Sequence, residues 1–432
     1  MTTSISRRGF GSLAVVSAAV LGLAACSGSS GGGKKGSVTW STWGSPEDLK
    51  SFDKFQEAFK TKHPDIELNF QPTPSYDEYH SKLLTQLSSG TAPDVFYLGD
   101  DRIASVIPNG VLLPLDDRLG QNGAVSKEDF AADLLSVATL DDALYGIPND
   151  VNPDTLWYDK EALQAAGITE DPADLAAAGQ WTTETFFEMT SKLKAAGLTG
   201  AVFYNYWATH DSWMTSQGGT VYDEDGAYVA HEDETSIRAM EEFATRFQNE
   251  EFLIADLLPE GSGADTMLVT HKLGFFAAGR YTIGAIRGGG VDEDLYDIVP
   301  WPTPDGSAAS TGVAASYLVI NKKVADPEAA FTFFTEFLSV DGQKLRLEDS
   351  GNAVPSIQGA DSLVTDGGYP KHAQTMLDMR DAGYSNFPTE AAVPDLSNSI
   401  AVDHMLPLYQ GKSDARTTLS QVAELVAEKA EK

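Results

Sequence analysis

Residues 38–98 read VTWSTWGSPEDLKSFDKFQEAFKTKHPDIELNFQPTPSYDEYHSKLLTQLSSGTAPDVFYL, and the periods inside this stretch decide the fold. Val38 and Trp40 alternate over Val38 to Trp43, the pattern of a short strand. Ser45 is a helix cap, Pro46 suits the first helical position, and Glu47 and Asp48 suit the positive end of the helix dipole. Leu49, Phe52, Phe55 and Phe59 then recur at helical spacing until His63-Pro64 stops the pattern. Ile66, Leu68 and Phe70 alternate as a second strand. Ser75-x-x-Glu78 is a capping box for a helix carrying Leu83, Leu84 and Leu87, with Gly90 as its terminator. Val95-Phe96-Tyr97-Leu98 is continuous and apolar, as a buried strand should be. The order strand, helix, strand, helix, strand predicts an α/β fold, a parallel or mixed sheet with helices on its faces.

Working outward, the same alternation resumes after about residue 145. Asp326-Pro327 opens a helix with Phe331, Phe334, Phe337 and Leu338 on one face, and Leu419, Val422, Leu425 and Val426 form a last amphipathic stripe. These stripes read as core. Asp223-Glu224-Asp225-Gly226 lies between Val221-Tyr222 and Tyr228-Val229 and reads as a hairpin turn. Its acids invite calcium, yet the twelve-residue EF-hand pattern is missing, so the turn is preferred and no metal is expected. There is no internal repeat.

The 432 residues suffice for two or three lobes, and 42% hydrophobic with 22% charged content is that of a globular chain. A net charge of -33 speaks against nucleic acid as a partner and against anionic lipid bound through protein charge. A single cysteine excludes a disulfide framework and a thiolate zinc cluster. That cysteine is Cys26. Arg7 and Arg8 precede an apolar run from Leu13 to Ala25, too short for a permanent span of a bilayer roughly 30 Å thick. A basic start, a short apolar run and small residues before a break mark residues 1–25 as a signal peptide. Leu23-Ala24-Ala25-Cys26 resembles a bacterial lipobox, and Ser6-Arg7-Arg8-Gly9-Phe10 resembles a twin-arginine export signal. Residues 26–37 then read as a lipidated cysteine and a flexible tether of glycine, serine and lysine. The expected location is outside the cytoplasm, anchored by lipid to the outer face of the membrane.

Short catalytic signatures are missing. There is no His-Glu-x-x-His, Gly-x-Ser-x-Gly or Walker sequence, and Gly288-Gly289-Gly290 lacks dinucleotide-binding spacing. The seven histidines are scattered. Two carboxylates brought together in space could still cleave a glycosidic bond, so a secreted glycosidase stays as a rival reading.

A set of motifs in order goes further. Ala58-Phe59-Lys60-x-x-His63-Pro64-Asp65-Ile66, Tyr76-x-x-Tyr79, Lys82-Leu83-Leu84 and Gly90-x-Ala92-Pro93-Asp94-Val95 come first. Tyr145-Gly146-Ile147-Pro148, Leu156-Trp157-Tyr158-Asp159-Lys160 and Ala277-Ala278-Gly279-Arg280-Tyr281 follow. Asp326-Pro327-Glu328-Ala329-Ala330-Phe331 and Asn352-Ala353-Val354-Pro355 complete the set. Together they resemble the extracellular solute-binding proteins of ABC importers, in the carbohydrate-binding branch typified by maltodextrin receptors. The resemblance implies two α/β lobes, a hinge and a central cleft. Lobe one falls at about 37–149 plus 305–355, and lobe two at about 150–304 plus 356–432. It implies a non-enzymatic, monomeric receptor without cofactor that closes on a small carbohydrate and delivers it to permease subunits. A polyol or phosphodiester is the alternative solute, and an adhesion lipoprotein the reading with no solute at all.

A sugar offers apolar C–H faces and a belt of hydroxyls, which call for aromatic rings and charged hydrogen-bonding groups. By the family pattern, Asp100, Asp101 and Arg102 after the third strand resemble an acid–arginine grip, and Trp43 ends the first strand at the cleft edge. Asn152 falls where the family carries an acid at the crossover, with Asp150 beside it. Tyr281 and Trp207 occupy stacking positions, with Tyr206 and His210 in the segment of Trp207. Asn398 replaces a third aromatic, and Leu98 replaces a stacking tryptophan. Arg287 and Trp301 are polar-cleft and hinge candidates. Trp40, Trp157, Trp181 and Trp213 read as structural.

Overall fold

The protein is seen in a computed structural model that describes residues 36–44, 46–121, 123–259, 262–348 and 352–430. The expected signal peptide, Cys26, the expected tether up to residue 35 and the expected Ser45 cap lie outside the described residues. Twelve strands are found among them: β1 (Ser37–Ser41), β2 (Glu67–Phe70), β3 (Val95–Gly99), β4 (Thr139–Leu140), β5 (Ala143–Leu144), β6 (Gly146–Pro153), β7 (Thr155–Asp159), β8 (Thr199–Phe203), β9 (Phe252–Ile254), β10 (Leu273–Ala278), β11 (Tyr296–Val299) and β12 (Val313–Ile320). Ten of these build two five-stranded sheets, β2-β1-β3-β12-β6 and β11-β7-β10-β8-β9, and β4 with β5 is a small hairpin.

The opening stretch folds as its periods demand. β1 runs parallel to both β2 and β3, with Trp40 opposite Phe70 and Val95. The helix Pro46–Lys62 ends before His63, and the helix Tyr76–Ser89 is capped by Ser75, whose hydroxyl accepts from Glu78 N at 3.3 Å. Gly90 closes that helix at φ +71°, a conformation that strains any residue with a Cβ. Phe52, Phe55 and Phe59 are buried against the helix Pro327–Leu338, with Phe55 and Phe337 edge to face at 4.9 Å. Trp40 stacks on Phe70 at 4.1 Å. Each such ring contributes roughly 1.5–3 kcal/mol by leaving water.

β12 returns antiparallel between β3 and β6, which makes the first sheet mixed. Its register with β6 slips at Ser316/Tyr317, so Asn149 is an extra residue between Asp150 and Pro148. A bulge of this kind re-aims the side chains beside it. The chain leaves the first sheet after Pro153 and enters the second at Thr155, so Asp154 alone makes the crossover. In the second sheet the alternation is plain: Trp157, Phe276 and Ile298 join one core, while Leu156, Tyr158, Phe275 and Ala277 join the other. Trp40, Trp157, Trp181 and Trp213 are all buried. The Asp223–Gly226 segment is a turn, with Asp223 Oδ1 accepting from Asp225 N and Ala227 N at 3.0 and 2.8 Å. Leu419, Val422 and Val426 bury one side of the last helix, Ala415–Ala430.

One helix departs from amphipathic design. Nearly every side chain of Trp207–Ser216 is buried, including Asp211. Asp211 is close enough to Glu390 to feel its charge, Glu390 accepts from Tyr222 Oη at 3.0 Å, and Oδ2 of Asp211 has no hydrogen-bond partner among the described residues. Burial, then the Glu390 charge, pushes the Asp211 carboxyl well above the ordinary range; burial pushes Glu390 up as well. The native state therefore holds protons that the unfolded chain has released, and stability falls as pH rises through and above the unfolded carboxylate range. Asp211→Asn should raise the melting temperature, and by more at about pH 8 than at about pH 5. Calorimetric melts across that range check this, and an equal or negative shift at both ends would remove the pair as a source of instability.

Candidate functional site

Strand ends set the position of the site. In an α/β sheet the loops at the carboxyl ends of the strands carry the groups that meet a ligand. Here those ends from both sheets face one cavity of about 670 Å³. That is within the ordinary range for a small-molecule site. β1 delivers Thr42 and Trp43, β3 delivers Gly99 to Arg102, β8 leads to Asn205, Tyr206 and Trp207, β9 to Asp256, and β10 to Tyr281. The antiparallel pair β6 and β12 forms the floor with Asp150, Asn152 and Ser316, and the helix Leu396–Ser399 adds Ser397 and Asn398.

Trp43 stands in a nest of rings, 4.9 Å from Tyr76, 5.2 Å from His80 and 5.6 Å from Tyr97. Gly99 N–H donates to His80 Nε2 at 3.3 Å, so Nδ1 carries the proton given to the Tyr76 carbonyl at 3.0 Å. Gly99 is glycine for want of room, since a Cβ there would sit 1.9 Å from Tyr76 Oη. That hydroxyl donates to Asp101 Oδ1, and Asp101 Oδ2 lies 3.0 Å from Arg102 Nε. Arg102 Nη1 donates to Asp395 Oδ1 at 2.7 Å.

Asp100 opens the helix Asp100–Val106 and is 7% exposed. It accepts from Ala315 N at 2.9 Å, and the Trp207 indole nearby also favours the charged form. Burial, with the adjacent Asp101 charge, pushes its carboxyl up to about 8, against which these donors work. Asp150 accepts from Ser316 Oγ at 2.7 Å and lies 3.6 Å from the buried Arg346 guanidinium. Burial raises it too, while Arg346 opposes the rise. Asn152 Oδ1 accepts from Arg280 N at 3.0 Å, which leaves its NH2 as the end to offer a ligand. Tyr206 donates to Asp154, whose carboxyl burial lifts to about 6. Tyr281 keeps 39% of its surface exposed beside these groups.

Of the residues singled out from sequence, Trp43, Asp100, Asp101, Arg102, Asp150, Asn152, Trp207, Tyr281 and Asn398 line this cavity together. Arg287 and Trp301 do not. Arg287 is half exposed, ion-paired to Glu293 at 3.1 Å, because it lies beyond the first turn of its helix. Trp301 is captured by the core, 5.7 Å from Phe203, and its indole donates to the Asp154 carbonyl at 2.7 Å. It therefore braces the crossover from behind. His210 is also buried, 2.7 Å from Tyr409 Oη, and burial pushes it down to about 3, so it is neutral. Leu98 points into the core.

Sequence reasoning missed Tyr76, Tyr97, Asp256 and Ser316 as lining groups. Asp256 carried a signal: like Asp100, it follows an apolar strand. Tyr76 was hidden by its neighbour Ser75, which read as a cap.

Comparison with known proteins follows this geometry. The family described as bacterial extracellular solute-binding protein matches residues 43–344. A binding protein of Brucella abortus is 31% identical over 123 residues, which is 28% of this chain and 29% of that relative's length. The lactose-binding protein of Rhizobium radiobacter is 24% identical over 318 residues, covering 71% of each chain. Among solved structures, an ABC substrate-binding protein from Listeria monocytogenes in complex with cycloalternan superposes with a TM-score of 0.77 at 17% identity, over 91% of this chain and 99% of that one.

Gly99→Ala should destabilise the protein by about 1–3 kcal/mol, the ordinary cost of overpacking. The loss should be smaller in a Tyr76→Phe background, where the clashing hydroxyl is gone. Urea unfolding of the four proteins of this cycle measures the coupling, and additive losses would mean that the Tyr76 hydroxyl is not what excludes a Cβ.

Proposed function

Because the chain belongs to the bacterial extracellular solute-binding protein family, we propose that it is the receptor of an ABC importer for a small carbohydrate, an oligosaccharide in particular. The observation that carries this reading is the cavity between the two sheets, where rings and polar groups are interleaved. Trp43, Tyr206, Trp207 and Tyr281 offer faces for sugar C–H groups, and Asp101, Asp150 and Asn152 offer partners for hydroxyls. The lactose and cycloalternan relatives support the same class. An acidic solute fits poorly, because Arg102 is the one cation among the described lining residues and is already engaged by Asp101 and Asp395.

The mechanism is a population shift without a covalent step. Lobe one is the part built on β2-β1-β3-β12-β6 and lobe two the part built on β11-β7-β10-β8-β9, and closure turns about the connections at Asp154, at 300–312 and at the segment that begins at Asp395. Solute contacts made only in the closed form stabilise it. Arg102 to Asp395 is the protein's own bond across the cleft. The closed, loaded form then engages the permease as a monomer. A lipid on Cys26, after export and cleavage of residues 1–25, holds the receptor at the outer face of the membrane. Among the described residues no helix is long and apolar enough to cross a membrane.

A thermal-shift screen of the tether-free protein against mono- and oligosaccharides tests the solute class. A sugar at a hundred times its dissociation constant should stabilise the protein by ~2.7 kcal/mol. A flat response across the panel would sink the carbohydrate reading. Tyr281→Ala should weaken binding about tenfold in calorimetric titration. Its unliganded melting temperature should change little, since the ring is half exposed; a collapse of the unliganded protein would make Tyr281 a structural residue. Chromatography of oligosaccharides incubated with the protein should show no shortened products, and turnover would replace the receptor with a glycosidase.

A further inference from the structure

We propose that Asp154 is a positioning residue for solute binding: from the crossover between the two sheets, its carboxylate holds the Tyr206 ring in the cavity wall. The inference rests on the receptor reading of the same cavity and adds to it a residue that stands behind the wall.

The first argument is placement. Asp154 alone joins β6 to β7, is 2% exposed and is not among the residues that line the cavity. Its backbone carbonyl accepts from the Trp301 indole at 2.7 Å, which fixes the main chain at this point. Its side chain accepts from the Tyr206 hydroxyl. Tyr206 itself lines the cavity. Its hydroxyl is spent on Asp154 behind the wall, so what it offers a solute is its ring.

The second argument is what the bond secures. Tyr206 heads the helix Trp207–Ser216, where its side chain makes no capping bond and its carbonyl accepts from Thr209 N at 3.1 Å and His210 N at 3.3 Å. Trp207 follows as the next ring of the wall, 6.3 Å from Tyr206 at an interplanar angle of 69°. An anchor on Tyr206 therefore also fixes how the chain enters the helix that carries Trp207. Rings held in place before a solute arrives lose less freedom on binding, and the saving shows as affinity.

The third argument is the cost of putting a carboxylate there. An acid withdrawn from water is unfavourable unless its charge is used. Burial pushes the Asp154 carboxyl up to about 6, the Tyr206 hydroxyl opposes that rise, and no basic group among the described residues shifts it. Around it stand Tyr204 and Tyr206 after β8 and Tyr281 after β10, with Asp100, Asp256 and Asp265 beyond those rings. At neutral pH the carboxylate is ionised, and a hydrogen bond to an ionised acceptor is roughly twice as strong as a neutral one. As pH falls through about 6 the charge is lost, the bond weakens and the ring loses its anchor.

The test is calorimetric titration of the intact mature protein with the tightest-binding sugar of a panel that contains lactose, maltose and maltotetraose. Tyr206→Phe keeps the ring and removes the donor. Asp154→Asn keeps an acceptor oxygen and removes the charge. Each should weaken binding about tenfold at neutral pH. The double variant should lose no more than either alone, since both changes act on one bond. The native protein should bind more weakly at about pH 5 than at about pH 7, and Asp154→Asn should flatten that profile. A residue that served the fold alone would lower the melting temperature and leave the affinity of the folded protein unchanged. Native affinity in either single variant, losses that multiply in the double variant, or a flat native pH profile would each overturn this inference and leave the carbohydrate receptor standing. The same fall toward pH 5 in Asp154→Asn would do so too. Binding of no sugar in the panel would overturn both. If Asp154→Asn does not fold, Tyr206→Phe and the native pH profile decide alone.

Discussion

A single buried guanidinium holds the floor of the cavity in place. Arg346 is 1% exposed, and its Nη2 donates to the Asn149 carbonyl at 2.9 Å. Its Nη1 reaches the Asn149 side chain and the Tyr97 hydroxyl at 3.4 Å each, and its plane lies 4.0 Å from the Phe337 ring. Those contacts join the helix Val340–Leu347 to β3 and to β6 at its bulge. A buried cation of this kind is costly to desolvate and tolerable only when its partners are fixed. The requirement runs both ways. The bulge at Asn149 is what presents a backbone carbonyl and a side-chain oxygen to the same guanidinium, and the bulge also turns Asp150 toward the cavity. Asn149 Nδ2 completes the arrangement by donating to the Ser316 carbonyl and hydroxyl at 2.9 and 2.8 Å. The geometry of the cavity-facing carboxylate thus depends on a charge that stands behind the wall.

The cavity concentrates what the composition announces only in bulk. A net charge of -33 over 432 residues is mostly a property of solvated surface. At the strand ends the same bias acquires consequences, because Asp100 and Asp150 are withdrawn from water. Both carboxyls are pushed upward by burial, and each is steadied by a donor on β12. These are groups whose protonation responds to what shares the cavity with them. A solvated acid on the outer helices has no such sensitivity.

The fold was legible because its signals are local and repeated. Phe52, Phe55 and Phe59 mark a helix face by spacing alone, and Ser75 with Gly90 marks both ends of the next helix. The last strand of the first sheet was less legible, since nothing in Val313–Ile320 says that it returns antiparallel between β3 and β6. Site residues divided along the same line. Asp100, Asp101 and Trp43 follow strands and could be placed by that rule, whereas Arg287 and Trp301 depend on rotation about a helix and on which core claims a ring. Arg346 sits in the middle of Lys344-Leu345-Arg346 and looks like a solvated basic residue. Its role exists only because Asn149 lies across from it, 197 positions away. Pairings at that separation are set by topology, which composition and periodicity do not encode.

Backbone irregularity marks a connection that reaches the cavity from the carboxyl-terminal part of the chain. Asp395 adopts φ +60°, unfavourable for a residue with a Cβ, and its carboxylate is the partner of Arg102. The helix Leu396–Ser399 that follows brings Ser397 and Asn398 to the wall, then gives way to a π-helix over Ile400–Met405. The Ala401 carbonyl there accepts from Asn205 Nδ2 at 2.9 Å. About forty positions before this, the chain still pairs with the first sheet, Val354 with Val151 of β6; after it, Ala415–Ala430 packs on the helix Glu234–Gln248 beside the second. A rotation of one sheet against the other must be absorbed by the connections between them. Asp154 is a single residue braced by Trp301, and it can act only as a pivot. The segment from Asp395 to Met405 has more backbone in uncommon geometry and carries Ser397 and Asn398 on the cavity wall. The bond from Arg102 to Asp395 therefore ties the acid–arginine pair at the end of β3 to this segment of uncommon backbone.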